Sequence, residues 1–356
     1  MNDIIEINIG PLSSVNSLHK YLGKKLKELR GAYIAGSSPQ VLWDARQLRH
    51  GKVSMAGLTA FISVAHSISF FIGKPQKIEF DWKPDLLGFL RDISFIEVSR
   101  KLNIFEFESE KMGGLPNEKT NPFTKILYYA DVLEEPLKNH ELSEYKNYLK
   151  TKIRPNFNLR CTEIFKGVNN NKLESIISKT AVELIVNGLI HGKSIVFAGL
   201  QRSAKRITVS VCDAGQGFPR SLRNNFEYLG EKELLPHSQA LLLGCIIQTK
   251  EHGIRLALNE VLDIHSIQYR DILANDGWMI ASSYDTEIRW QKYNWHKALC
   301  NIDNDNILQS ADNIEDLLGV PIEYHIDQNH RNTGYWQLFP NYIKGSRFIF
   351  EIPIKN

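Results

Sequence analysis

Two segments, residues 180–192 and 211–219, constrain this chain more than any other part of it. The first, Thr180-Ala-Val-Glu-Leu-Ile-Val-Asn-Gly-Leu-Ile-His-Gly192, places Glu183, Asn187 and His191 at every fourth position. Side chains spaced that way stack on nearly one face of a helix, so an otherwise apolar helix carries a polar stripe. The second, Val211-Cys-Asp-Ala-Gly-Gln-Gly-Phe-Pro219, ends a β-branched run in Asp213 and then alternates two glycines, Gly215 and Gly217. Glycine at those positions allows close backbone approach and positive φ. Between the two segments Ile207-Thr-Val-Ser-Val211 alternates as a half-buried strand does. The combination points to a nucleotide site built from a helix, a strand and a glycine turn.

At these residues the chain resembles the GHKL superfamily of ATP-binding domains, which takes in gyrase, sensor histidine kinases and anti-sigma serine kinases. The resemblance implies a role for each residue. Glu183 orients or deprotonates the attacking water or hydroxyl, and Asn187 holds Mg²⁺, a cation that takes oxygen ligands shared with phosphates. Asp213 accepts a hydrogen bond from the adenine amino group, a donor that guanine lacks at that position. Taken singly, Glu-x-x-x-Asn reads as a solvated face and Asp-x-Gly-x-Gly as a turn; their order and the strand between them favour the nucleotide. His191 reads more simply as packing at the helix end, with Gly192 as the stop.

Two further boxes occur downstream in altered form. Thr249-Lys-Glu-His-Gly-Ile-Arg-Leu-Ala-Leu-Asn-Glu-Val261 resembles the superfamily's second glycine box, where a glycine turn feeds a helix whose N-terminal amides hold phosphate. Gly253 remains, and Arg255 stands where a second glycine is usual, either gripping phosphate in fork geometry or blocking its approach. Lys344-Gly-Ser-Arg-Phe-Ile-Phe-Glu-Ile-Pro-Ile354 resembles the closing Gly-Thr strand, with Ser346 supplying the hydroxyl that completes the adenine–aspartate contact. Phe348, Phe350 and Ile352 also alternate as any terminal core strand would.

The rest of the chain bounds the classes open to it. Its 356 residues suffice for two domains, and 43 Lys and Arg against 40 Asp and Glu leave a net charge of +3, which announces neither nucleic acid nor membrane as an obligatory partner. Cys161, Cys212, Cys245 and Cys300 show no metal or disulfide spacing, and no cationic, apolar leader opens the sequence, so a cytoplasmic protein is expected. The apolar stretch Val53–Gly73 carries Ser63, His66, Ser67 and Ser69 and reads as a buried or amphipathic helix rather than a span.

The expected fold class is α/β (α+β). Residues 1–39 read as a lead-in containing a basic helix, Leu18 to Arg30. Residues 40–110 alternate strand and helix (Val41–Asp44, Met55–Phe71, Gln76–Asp81, Pro84–Leu102) and by that pattern resemble a STAS module. The phosphorylatable residue of such modules is displaced here to Ser54, so a docking or dimerising surface is the expected role. Residues 111–171 read as a linker and helical connector, with Phe123–Phe165 helical and broken at Pro136 and Pro155. Residues 172–356 are expected to form a GHKL, or Bergerat-type, α/β sandwich with a mixed sheet. Within it lie a lid over 219–252, hinged at Gly230 and Pro236, and an insertion over 290–342 whose Trp290, Tyr293, Trp295, Tyr335 and Trp336 suggest a contact surface, with core packing the more frequent role of such residues.

What the resemblance implies is an ATP–Mg²⁺-binding regulator with three outputs open: an ATP-driven switch with slow ATPase activity, an anti-sigma-type serine/threonine kinase, or a non-catalytic ATP sensor. Stress response and phage defence are the expected settings, a STAS-like or operon-encoded protein the expected partner, and a homodimer is compatible with it.

Overall fold

The computed structural model describes residues 4–14, 17–108, 125–131, 142–168, 170–225, 236–246, 254–262, 277–301 and 336–354. They form a mixed α/β fold with two sheets. The first sheet is parallel, with β1 (Ile4–Asn8), β2 (Gln40–Ala45), β3 (Gln76–Phe80) and β4 (Phe105–Glu106) in sequential order. Parallel strands need crossovers, and α1 (Ser17–Ile34), α2 (Met55–Ile72) and the pair α3 (Pro84–Asp92) and α4 (Phe95–Lys101) supply them. The lead-in expected over residues 1–39 therefore contributes a strand and a crossover helix. The single helix expected over Pro84–Leu102 is two, split where Ser94 takes a left-handed φ of 64°.

The second sheet is antiparallel throughout its described strands rather than mixed as expected, in the order β5 (Lys125–Ala130), β6 (Val196–Arg202), β7 (Arg206–Asp213), β9 (Trp336–Pro353), β8 (Trp278–Trp290). Residues 125–130 correct the helical expectation for Phe123–Phe165: they are the sheet's edge strand. Lys-Ile-Leu-Tyr-Tyr-Ala shows no clean alternation because helices cover both its faces. The helix α5 (Leu142–Phe165) then runs unbroken through Pro155, which removes one backbone donor without ending it. Pro136 lies outside the described residues.

Side chains along β7 alternate between two cores. Ile207, Val209 and Val211 join α5, α6 (Asn171–Asn187), α8 (His237–Ile246) and α9 (Ile254–Leu262) on one face. Cys212 faces the other way, toward the parallel sheet and its helices. Here α2 lies across β6 and β7, so close to Gly199 that a Cβ there would fall 2.2 Å from Thr59 Oγ1. Two polar contacts cross the seam: Ser210 Oγ donates to Thr59 Oγ1 at 3.0 Å, and Met55 N donates to Gln201 Oε1 at 3.1 Å.

This double coverage explains why α2 is apolar all round. By length and composition it could cross a membrane, yet 72% of it is buried between the sheets. Ser54, the displaced phosphorylation candidate, is its N-cap: the hydroxyl accepts from Gly57 N at 3.0 Å and donates to Leu12 O at 3.1 Å. Of the two readings open for the aromatics of 290–342, a contact surface or core packing, Trp290 and Trp295 take the second. Trp290 and Trp295 meet edge to face at 5.0 Å, and Trp295 Nε1 donates to Asn259 Oδ1 at 2.9 Å. Tyr335 lies outside the described residues, as does most of the insertion.

Candidate functional site

Helix α6 carries the polar stripe. Asn170 caps its start by accepting from Leu173 N at 3.0 Å, and a single π-helical turn, Gly188–Gly192, extends it past Asn187 to a left-handed Lys193. Such turns insert one residue and re-aim the side chains beyond it. Here the turn presents both Gly188 and Gly192 to Asp213: an added Cβ at Gly192 would sit 2.8 Å from Asp213 Oδ1, and one at Gly188 3.6 Å from Oδ2. The structure therefore brings the first half of the sequence motif, the end of α6, directly against the second, the end of β7.

Asp213 is 5% exposed. Burial pushes its carboxyl up to about 6, against the pull of hydrogen bonds from Gly215 N and from the backbone and hydroxyl of Ser346, and of the Arg347 charge. These three donors leave one of a carboxylate's roughly four acceptor positions unused. The glycines are needed for the protein's own packing: a Cβ on Gly215 would fall 1.9 Å from Gly192 O, and one on Gly345, at φ 97°, 2.0 Å from Asp213 O. Gly217, at φ 69°, turns beneath the ring of Tyr284. Ser346 is thus where the sequence expects it, bonded to Asp213 directly.

One turn back from Asn187, Glu183 does not stand free. Lys146 and Lys150, one turn apart on α5, place their ammonium groups 2.6 Å from Oε1 and 2.6 Å from Oε2. Oε1 makes no directed hydrogen bond, so its tie to Lys146 is coulombic. His191, on the same stripe, is drawn down to about 4 by its burial and by Lys146, with Glu183 acting against them. It is neutral at physiological pH.

On the Glu183 side a cavity of about 210 Å³ opens between α5, α6 and α9, lined among others by Lys150, Arg154, Lys179, Thr180 and Glu260. Thr180 Oγ1 is buried at its wall without a hydrogen-bond partner. Two ammoniums on one carboxylate leave this end of the stripe with excess positive charge, an arrangement suited to an anion.

The Asn187 side chain is 8% exposed and makes no hydrogen bond among the described residues. An unengaged amide oxygen fits a single protein ligand to Mg²⁺, which keeps its other positions for phosphate and water. Arg255, in the first turn of α9, donates to Ile246 O at 3.2 Å and so ties the end of α8 to the start of α9. Gly253 and the hinge Gly230 lie outside the described residues. The lid region supplies α7 (Gly217–Asn225) and α8, and Gly244 of α8 is locked on Phe218, whose ring a Cβ would meet at 2.2 Å.

Several site residues escape sequence reasoning. Arg347 is buried, donates to Ile343 O and Tyr284 O, and is lowered by burial against the influence of Cys212, Asp213 and Glu287. It adjoins the quoted Gly345-Ser346, so its place in the motif was the available signal. Tyr284 sits at a bulge in β8 at φ 53°, donates to Gln216 O at 2.9 Å and stacks on His237, whose ring meets Asp285 at 2.8 Å. Neither this latch nor Lys146 and Lys150 had any signature in the sequence.

Comparison of the chain with family models, with curated proteins and with solved structures finds no match.

Proposed function

We propose that this chain is an ATP–Mg²⁺-binding regulatory protein of the GHKL type, with a Bergerat-like antiparallel half and a STAS-like parallel half. The observation that carries the reading is Asp213: a buried carboxylate with three internal donors and one acceptor position unused, which the adenine amino group would take. From Gly192 back to Glu183 the stripe spans roughly 13 Å of helix. A nucleotide laid along it would meet Asp213 with its base, Asn187 with its metal-bound phosphates and the cationic cavity with its terminal phosphate. Mg²⁺, when bound, would neutralise phosphate charge. The chain's own residues select the base, orient the triphosphate and hold Glu183 in reserve.

Output depends on the state of Glu183. An ammonium 2.6 Å from each carboxylate oxygen leaves neither oxygen free to orient a water, which favours slow hydrolysis coupled to a conformational switch, with α7 and α8 as the responsive elements. The same pairing supports a second reading, a sensor that binds ATP without cleaving it. Transfer to a serine of a STAS-like partner, the kinase alternative, asks for the same base to be freed.

Calorimetric titration of the full chain with ATP and Mg²⁺, and with GTP, tests the assignment. Saturable ATP binding that GTP does not match, and that Asp213→Ala removes while the far-ultraviolet dichroism stays intact, is the expected result. A folded protein indifferent to adenine nucleotides would overturn it.

A further inference from the structure

The parallel sheet ends in an exposed apolar tip that the nucleotide reading does not use. In a β1–α1–β2–α2 unit with parallel strands, both helices run against the strands, so both helix C-termini emerge at the strands' N-terminal end. Tyr33 and Ile34 close α1, and Phe70 and Phe71 close α2. The two ends touch: the Tyr33 and Phe71 rings lie 4.4 Å apart, and Lys74 Nζ donates to Ser38 O at 3.2 Å. Ile4, at the start of edge strand β1, is in register with Gln40 at that same end. Phe70 is 83% exposed, Ile34 74% and Ile4 62%. Single exposed apolar residues mean little, but half of the large hydrophobics exposed among the described residues gather here.

A second observation says what covers the tip. Lys20, Lys24, Lys27 and Arg30 recur at three- and four-residue intervals along α1 and all are exposed, so they form one stripe whose continuation is Ile34. The one acidic residue of α1, Glu28, flanks the stripe one turn on from Lys24 and is paired with Lys25 at 2.9 Å. A second copy of this surface would repel it.

We propose that this tip and stripe dock the protein on an anionic lipid surface. Phe70, Phe71 and Ile34 enter the headgroup boundary, and the α1 cations lie on the phosphates. Phe70, Phe71 and Ile34, the side chains that enter the boundary, carry no hydrogen-bonding group and favour lipid over nucleic acid, whose bases would ask for donors and acceptors. The sequence alone, with its near-neutral balance, expects no membrane partner; the charge is nearly balanced overall and segregated locally.

Sedimentation of the full chain with phosphatidylcholine vesicles, with and without phosphatidylserine, tests this. Binding is expected only with phosphatidylserine, and is expected to fall as salt rises. The double variant Phe70→Ser, Ile34→Ser should bind roughly tenfold more weakly or worse. Replacing Lys20, Lys24, Lys27 and Arg30 by Ala should abolish the phosphatidylserine preference. All six positions are exposed, so unchanged thermal denaturation is expected and separates lost binding from lost fold. Failure to sediment with either vesicle, equal binding by the Phe70/Ile34 variant, or tighter binding to an oligonucleotide that needs only the cations would overturn the proposal. The nucleotide assignment stands or falls separately.

Discussion

Glu183 and Lys150 stand 2.6 Å apart across the contact of α6 with α5, and Lys146 is as close to the other oxygen of the same carboxylate. Glu183 and Lys146 are both almost fully buried, so each is the other's counter-ion where water cannot serve. Replacing Glu183 by Ala leaves two ammoniums without their counter-ion, and breaking a buried pair from one side costs about 3 kcal/mol or more. Chemical denaturation should therefore show Glu183→Ala strongly destabilised. The isosteric Glu183→Gln, which fills the same space and keeps one acceptor oxygen for one of the two lysines, should be destabilised less. A nucleotide-binding defect in the alanine variant alone would report lost structure, and only the glutamine variant tests the base.

Releasing one lysine should do the opposite to turnover. Lys150 is the more exposed of the two partners and faces the cavity, so Lys150→Met leaves Glu183 paired with Lys146 and returns one oxygen to proton transfer. Under the ATPase reading, single-turnover phosphate release should rise roughly tenfold or more, a part of the roughly hundredfold or greater effect of a free general base. Unchanged release in a variant that still binds ATP would favour the sensor reading.

The glycines make a geometric prediction. A methyl on Gly215 would be driven into Gly192 O, and one on Gly192 into the Asp213 carboxylate, both backbone or buried partners that cannot swing aside. Gly215→Ala and Gly192→Ala should each cost a few kcal/mol, about 1–3 as overpacking does, and should weaken ATP binding beyond what the stability loss explains. Gly51→Ala, where a Cβ meets nothing within 4 Å, is the control expected to change neither.

The elements legible in the sequence were those with one environment along their length. The strands β2, β3 and β7 and the helix α2 have a regular period or an unbroken apolar run, and α6 keeps its polar side chains on one stripe. Residues 125–130 were not legible because covering both faces of an edge strand erases the alternation that marks a strand. Trp290 and Trp295 left two readings open because tryptophan serves interfaces and cores alike, and it is their packing against each other that decides. At the site, Asp213, Gly215 and Ser346 could be read because their roles are backbone geometry and local order. The lysines on Glu183 could not, since a contact between two helices leaves no trace in the spacing of either.

Asp213 and His191 lie at the same end of the stripe and titrate in opposite senses. Burial raises Asp213 from 3.8 to about 6, so the folded state holds its proton more tightly than the unfolded chain does. Its contribution to stability is full at the acid end and is lost as pH rises toward about 6. Burial and Lys146 lower His191 from 6.5 to about 4, so its contribution is full above 6.5 and is lost as pH falls through about 4. Each shift amounts to about 3 kcal/mol, of opposite slope over nearly the same range, and in the native protein the two largely cancel. Urea denaturation across pH 4 to 7 should expose them separately. Relative to the native protein, Asp213→Asn should gain stability as pH rises, and His191→Gln should lose it. His66, also lowered by burial, titrates in all three proteins and drops out of the difference. Parallel pH profiles for the three proteins would show that neither group is buried as described, and Asp213 could then not be a desolvated acceptor.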